Sequence, residues 1–180
     1  MEQIDVLDKN GNKTGVVKTK KEIYEDGDYH RSVHIWIIND NKEILVQKRH
    51  PKKETYANLW AISVAGHVRS GEESMDAIKR ELKEELGQKV DEKEIEYLFT
   101  LRRQQPYKDH ILNVIDDVFL VNLNLDVENT KLQFTELTDI KYVYYEYLEQ
   151  IFKTADPEYV PFTLEHEKLF KYLHKKFDKQ

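Results

Sequence analysis

The sequence predicts an α/β protein in which a mixed β-sheet lies between helical layers. Three observations lead there. Runs rich in β-branched and aromatic residues occur on both sides of a mid-chain helix, so strands come from both halves of the chain. The mid-chain helix is marked by Met75, Ile78, Leu82 and Leu86, which recur at three- and four-residue steps. A second apolar stripe, Leu169, Phe170, Leu173 and Phe177, closes the chain. At 180 residues and 39% hydrophobic content, one domain with a sizeable core is expected over 1–180.

In order, residues 4–7 and 15–18 flank a polar stretch and predict a hairpin turning at Asn10-Gly11. This hairpin and a Lys/Glu-rich segment make an N-terminal region, 1–29, ahead of a core at about 30–153. Residues 31–38 read as a strongly apolar, central strand, with His34 as a sheet histidine and Trp36 packed in the core. A turn at 39–42 leads to a strand at 43–49, a polar loop at 50–58, and 59–64 leads into the mid-chain helix region. Ser-Gly-Glu-Glu at 70–73 reads as a capping box and Ser74 as a second N-cap candidate, so the helix starts between Gly71 and Met75. Gly87 stands at its C-cap. Then come a strand at 95–101, a turn at 104–109, and a long strand at 111–121 that puts the adjacent Asp116 and Asp117 on opposite faces. A loop at 126–138 carries Glu136, a last strand covers 140–144, and a short helix covers 145–153. The C-terminal helix spans 164–177, with its ends near 163 and 178.

The mid-chain helix also carries chemistry. At about 100° per residue, Glu81 and Glu85 lie about 40° apart, with Glu84 on the far side of Glu81. All three border the apolar stripe. Carboxylates this close repel each other unless a cation lies between them, and a hard divalent ion with oxygen ligands, Mg²⁺ or Mn²⁺, meets that need. Taken alone, Glu-x-x-Glu-Glu is an ordinary solvated acidic face; Gly66, Glu72 and Arg80 in register with it argue otherwise.

Gly66, five residues, Glu72, seven residues, Arg80-Glu81-Leu82, a spacer, Glu84-Glu85, a spacer and Gly87 together resemble the signature of the Nudix (MutT-like) hydrolases. One position departs: Gln88 stands where that family usually has an aliphatic residue. The resemblance implies an α/β/α sandwich with a mixed sheet, and hydrolysis of a diphosphate linkage in a nucleoside diphosphate derivative or related small molecule. It implies Glu81, Glu84, Glu85 and the Gly66 carbonyl as metal ligands, and Glu81, Glu85, Glu136 and Arg80 as the catalytic set. Within that set Glu136 is the candidate base, and Arg80 with Glu72 braces the loop. Lys48 and Arg49 are candidates for holding phosphate or for a surface role, Trp60 for packing in the core or stacking on a base, and His67 for touching the site beside Gly66.

Outer features resemble a narrower branch, the isopentenyl-diphosphate isomerases: His30 before the first core strand, and the run from Trp60 to Gly66-His67. In those enzymes a catalytic Cys precedes the Gly-His pair, and here the position is Ala65. Their second catalytic group, a Glu on the long strand, has no counterpart in 112–117, and an earlier His of their metal site falls on Ile23. Proton transfer at an allylic carbon therefore lacks its agents, and hydrolysis is the better reading. A non-catalytic binding module would call for a degraded signature, and every acidic position is present.

A net charge of −6 argues against general nucleic-acid or anionic-membrane binding. The absence of cysteine rules out disulfides and thiolate chemistry. No apolar run approaches about 18 residues, and the first residues do not read as a signal peptide, so a cytoplasmic location is expected. The expected partner is a small-molecule diphosphate; the sequence is compatible with a homodimer.

Overall fold

The computed structural model describes residues 2–178, and its centre is the strand β3 (Tyr29–Ile38). Along its whole length β3 pairs in parallel with β8 (His110–Asn122), from Tyr29 against Asn113 to Ile38 against Asn122. Its other edge is shared by three antiparallel partners. These are β1 (Gln3–Leu7) at Tyr29, β6 (Val64–His67) at 32–35, and β4 (Glu43–Arg49) at 37–38. Outside these lie β2 (Lys13–Thr19) on β1, β7 (Ile95–Tyr107) on β8, and β5 (Trp60–Ala61) and β9 (Leu137–Tyr144) on β4. The result is a nine-stranded mixed sheet.

Alternation along β3 builds both layers. Val33, Ile35 and Ile37 face α2 (Ser74–Leu86) and pack with its fully buried Ala77, Ile78, Leu82 and Leu86. Trp36 and Ile38 face the other way, toward Leu148 and Phe152 of α3 (Tyr145–Lys153) and Leu169, Phe170 and Leu173 of α4 (Leu164–Phe177). Each large side chain buried here contributes roughly 1.5–3 kcal/mol. This is the α/β/α sandwich expected.

The structure departs from expectation at several ends. The Lys/Glu-rich segment is a helix, α1 (Lys20–Asp26), capped by reciprocal bonds between Thr19 and Glu22 and ended by Gly27. The cap of α2 is Glu73 with Asp76, not Ser70, whose hydroxyl donates to Asp5 instead. The strand expected at 95–101 continues through Pro106 to Tyr107, because β8 supplies a partner for every step from Phe99 to Tyr107 and a proline is tolerated where its missing N–H is not required. β9 begins at Leu137 rather than 140. Gln88 does not perturb the core: its amide N–H donates to the Leu82 carbonyl and its side chain to that of Leu86, finishing the helix.

Candidate active site

A cavity of about 660 Å³ links the sheet face under α4 to the acidic edge of α2. Its floor is every second residue of β3: His30, Ser32, His34 and Trp36. Leu112 and Val114 of β8, and Arg103 and Gln105 of β7, continue it sideways.

At the α2 end, the apolar stripe that anchors the helix also buries its flanking acids. Glu81 is 8% exposed and Glu85 is 4% exposed. Burial raises both carboxyls. Glu85, with the Glu81 charge beside it and only partial relief from Lys53 and Arg49, is pushed up to about 8. One oxygen of Glu85, Oε2, is buried with no hydrogen-bond partner. Gly66 on β6 is needed for the acids to reach this position, because a Cβ there would lie 2.0 Å from Glu81 Oε1.

Arg80 holds the intervening loop onto the helix. Its Nε and Nη2 donate to the two oxygens of Glu72 at 2.8 and 2.9 Å, Nη2 also donates to the His67 carbonyl at 2.8 Å, and Nη1 donates to Glu81 at 2.5 Å. Arg80 is not part of the cavity wall. Its two-pronged grip on Glu72 is the geometry of a brace. Glu84 is half-exposed and turned toward Arg69 at 3.4 Å and Arg80 at 3.5 Å.

Across from the acids stand cations. Lys20, Arg49, Lys52, Lys53 and Arg69 line the cavity, and Lys53 pairs with Glu136. Burial lowers the pKa of both Arg49 and Lys53. Glu136 thus lies on the cavity wall, carried there by the loop before β9. His67 lines it too, with Nε2 at 3.1 Å from the Tyr24 hydroxyl and Nδ1 at 3.6 Å from Glu2. Lys48 and Trp60 do not line it. Trp60 is core, packed by Tyr159 with the ammonium groups of Lys48 and Lys141 over its ring. The alternation of β4 gives the reason: it turns Arg49 into the cavity and Lys48 away.

Among the described residues no three His, Asp or Glu side chains converge into a ready metal cage. The donor set is one orphaned carboxylate oxygen with Glu81 and Glu84 held nearby on arginines. That oxygen-only set fits a hard divalent ion such as Mg²⁺, which completes its shell with water and phosphate oxygens rather than sitting in an all-protein cage.

This geometry agrees with what the chain is similar to. The NUDIX domain model matches residues 28–165. The chain belongs to the Nudix hydrolase family. Nudix hydrolases generally use divalent metal ions. This Nudix chain is 39% identical over 176 residues to Nudix hydrolase 3 of Arabidopsis thaliana, covering 94% of its own length but 23% of that protein's. It is 32% identical over 162 residues to an uncharacterized Nudix hydrolase of Listeria innocua, covering 90% of each. Isopentenyl-diphosphate Delta-isomerase 1 of Photorhabdus laumondii is 33% identical over 110 residues, 61% of each chain. The crystal structure of DR0079 from Deinococcus radiodurans has the same fold, with a TM-score of 0.70, 18% identity and coverage of 98% and 99%.

The far half of the Nudix cavity was not expected from the sequence. His34 Nδ1 donates to the Glu165 carboxylate at 2.7 Å and the ring lies 3.5 Å from Asp116, which is also bound by Ser32 and Arg103. Burial alone would lower His34, but Glu165 and Asp116 outweigh it and raise it to about 9. Asp116 therefore serves this clasp rather than the α2 acids, and Asp117, on the opposite face, binds Arg31, Ser74 and Thr100. The available signal was the polar alternation His30, Ser32, His34 inside an apolar strand.

Proposed function

We propose that this Nudix chain is a divalent-metal-dependent pyrophosphohydrolase that cleaves a diphosphate linkage in a nucleoside diphosphate derivative or related small molecule, with Mg²⁺ or Mn²⁺. The observation that carries this reading is the unpartnered Glu85 oxygen beside Glu81, facing cationic groups across one cavity. Glu85, Glu81, Glu84 and the Gly66 carbonyl would hold the ion. Bound divalent ions supply charge neutralisation on the phosphate oxygens and acidify water.

The protein's own side chains do the rest. Arg49 and Lys53 bind the diphosphate, since both are half-buried cations that gain from an anionic partner. Glu136 takes the proton of the attacking water at its carboxylate, released from Lys53 as that ammonium turns to phosphate. Arg80 and Glu72 keep the loop and Glu81 in place. The isomerase-like outline is real in sequence, but Ala65 stands on the cavity wall where those enzymes place a Cys. Incubation with a panel of diphosphate compounds and Mg²⁺ or Mn²⁺, with products identified by mass, tests the reading. Release of a monophosphate by wild type and not by Glu85→Gln is expected; conversion of isopentenyl to dimethylallyl diphosphate at enzymatic rates would overturn it.

A further inference from the structure

At the end of the cavity away from the α2 acids stands a histidine that the proposed hydrolysis does not use. His166 is 5% exposed and lies in the first turn of α4, where it forms the cavity wall with Thr163 and Glu165. Its Nδ1 accepts the Thr163 backbone N–H at 3.1 Å, closing the capping box of the helix. A nitrogen that accepts an N–H bond carries no proton, so the ring proton of neutral His166 resides on Nε2. That Nε2 is buried and has no hydrogen-bond partner. Its aromatic neighbours are Phe152 at 4.2 Å, Trp36 at 5.5 Å and Phe162 at 5.7 Å between ring centroids, and none of them can accept a conventional hydrogen bond. The adjacent Glu165 carboxylate is already engaged, one oxygen by Trp36 Nε1 at 2.8 Å and the other by His34 at 2.7 Å. Burial lowers the His166 pKa to about 4, so the ring is a neutral donor at neutral pH.

We propose that the His166 Nε2–H is a specificity-determining donor that receives a neutral hydrogen-bond acceptor carried by the group linked to the substrate's diphosphate. A carbonyl oxygen or an unprotonated ring nitrogen on a flat, apolar body suits it, because Trp36, Ile62, Val160 and Pro161 form the surrounding wall. A purely hydrocarbon group would leave the donor buried and unsatisfied, and unmade buried hydrogen bonds are what give enzymes their sharpest discrimination. The proposal rests on the diphosphate binding at the α2 end.

The test uses non-hydrolysable methylenebisphosphonates carrying a phenyl or a 4-pyridyl ring on linkers of one to four carbons, with binding measured by calorimetry in Mg²⁺ at pH 7.5. At one linker length the pyridyl compound is expected to bind about tenfold tighter or more than its phenyl twin. His166→Asn keeps an acceptor at the Nδ1 position for the cap and loses the Nε2 donor, so it should abolish the preference. His166→Gln places an amide N–H near Nε2 and should retain it, even if loss of the cap lowers its melting temperature. Equal binding of the twins at every length, a preference that survives in His166→Asn, or no binding of any probe overturns the proposal. If the preference behaves as expected while no diphosphate compound is hydrolysed, the subsite stands and the hydrolase reading falls.

Discussion

The carboxyl of Glu85 is an acid held where an acid alone is unfavourable. Its value near 8 comes from burial first and from the Glu81 charge second. Gln keeps the shape but cannot supply the anionic oxygen that a divalent ion needs, so Glu85→Gln is expected to lower turnover by at least about two orders of magnitude without lowering the melting temperature. Activity within threefold of wild type at saturating Mg²⁺ would take Glu85 out of the site. Gly66→Ala is a steric counterpart. The added methyl falls on Glu81, so the acid must move, and kcat should drop severalfold or more while the α2 core, measured by urea unfolding, stays close to wild type. Glu136→Gln separates chemistry from metal binding: kcat is expected to fall about 100-fold with the Mg²⁺ requirement nearly unchanged. Full kcat in that variant would move the base to a helix carboxylate, Glu81 first. At this scale the α2 acids were legible in the sequence because one helix fixes their spacing. The His34 and Glu165 pair was not, since its members are 131 residues apart and only the fold brings them together.

Among the elements, the stretch joining β6 to α2 behaves as one clamped unit. Arg80 fixes it through two bonds to Glu72 and one to the His67 carbonyl, all half-buried. Arg80→Met leaves Glu72 and Glu81 without their partner and is expected to cost about 3 kcal/mol in urea unfolding. Amide exchange should also accelerate at residues 67–72 well beyond that expected from the global loss. Uniform acceleration along the chain would mean that the clamp is not local. β4, α3 and α4 could be bounded from sequence because each begins or ends where apolar periodicity stops at polar or turn residues. The helix α1 could not, because it buries only Ile23 and its stability comes from the Thr19–Glu22 cap and the hairpin beneath it. The length of β7 was hidden for a related reason: Gln104 to Tyr107 are ordered by cross-strand pairing with β8, and no local pattern records that.

Across the molecule, α4 is joined to the sheet by the charged clasp of Glu165, His34, Asp116 and Arg103, on the same face of β3 as Trp36. The folded pKa of His34, about 9, is above its ordinary 6.5, so its stabilisation is complete below pH 6.5 and is lost as pH rises through 9. Asp116, at about 2 against an ordinary 3.8, stabilises above 3.8, and this is lost as pH falls through 2. Both contributions are full between those ordinary values. Urea unfolding of wild type should show a steeper loss of stability from pH 6.5 to 9 than Glu165→Gln, in which His34 loses its main charged neighbour. Identical slopes would show that His34 does not carry the charge. The parallel pairing of β3 with β8 has a temporal consequence as well. Ile35 meets Phe119 only after the chain between them has been made and its ends brought together, and closing so long a loop is slow compared with forming a helix or a hairpin. During synthesis the acidic helix α2 is complete long before β8 and α4 emerge. The nascent protein therefore carries its α2 acids before it has β8, the Glu136 loop and the α4 wall, and competence to choose a substrate is the last property the growing chain acquires.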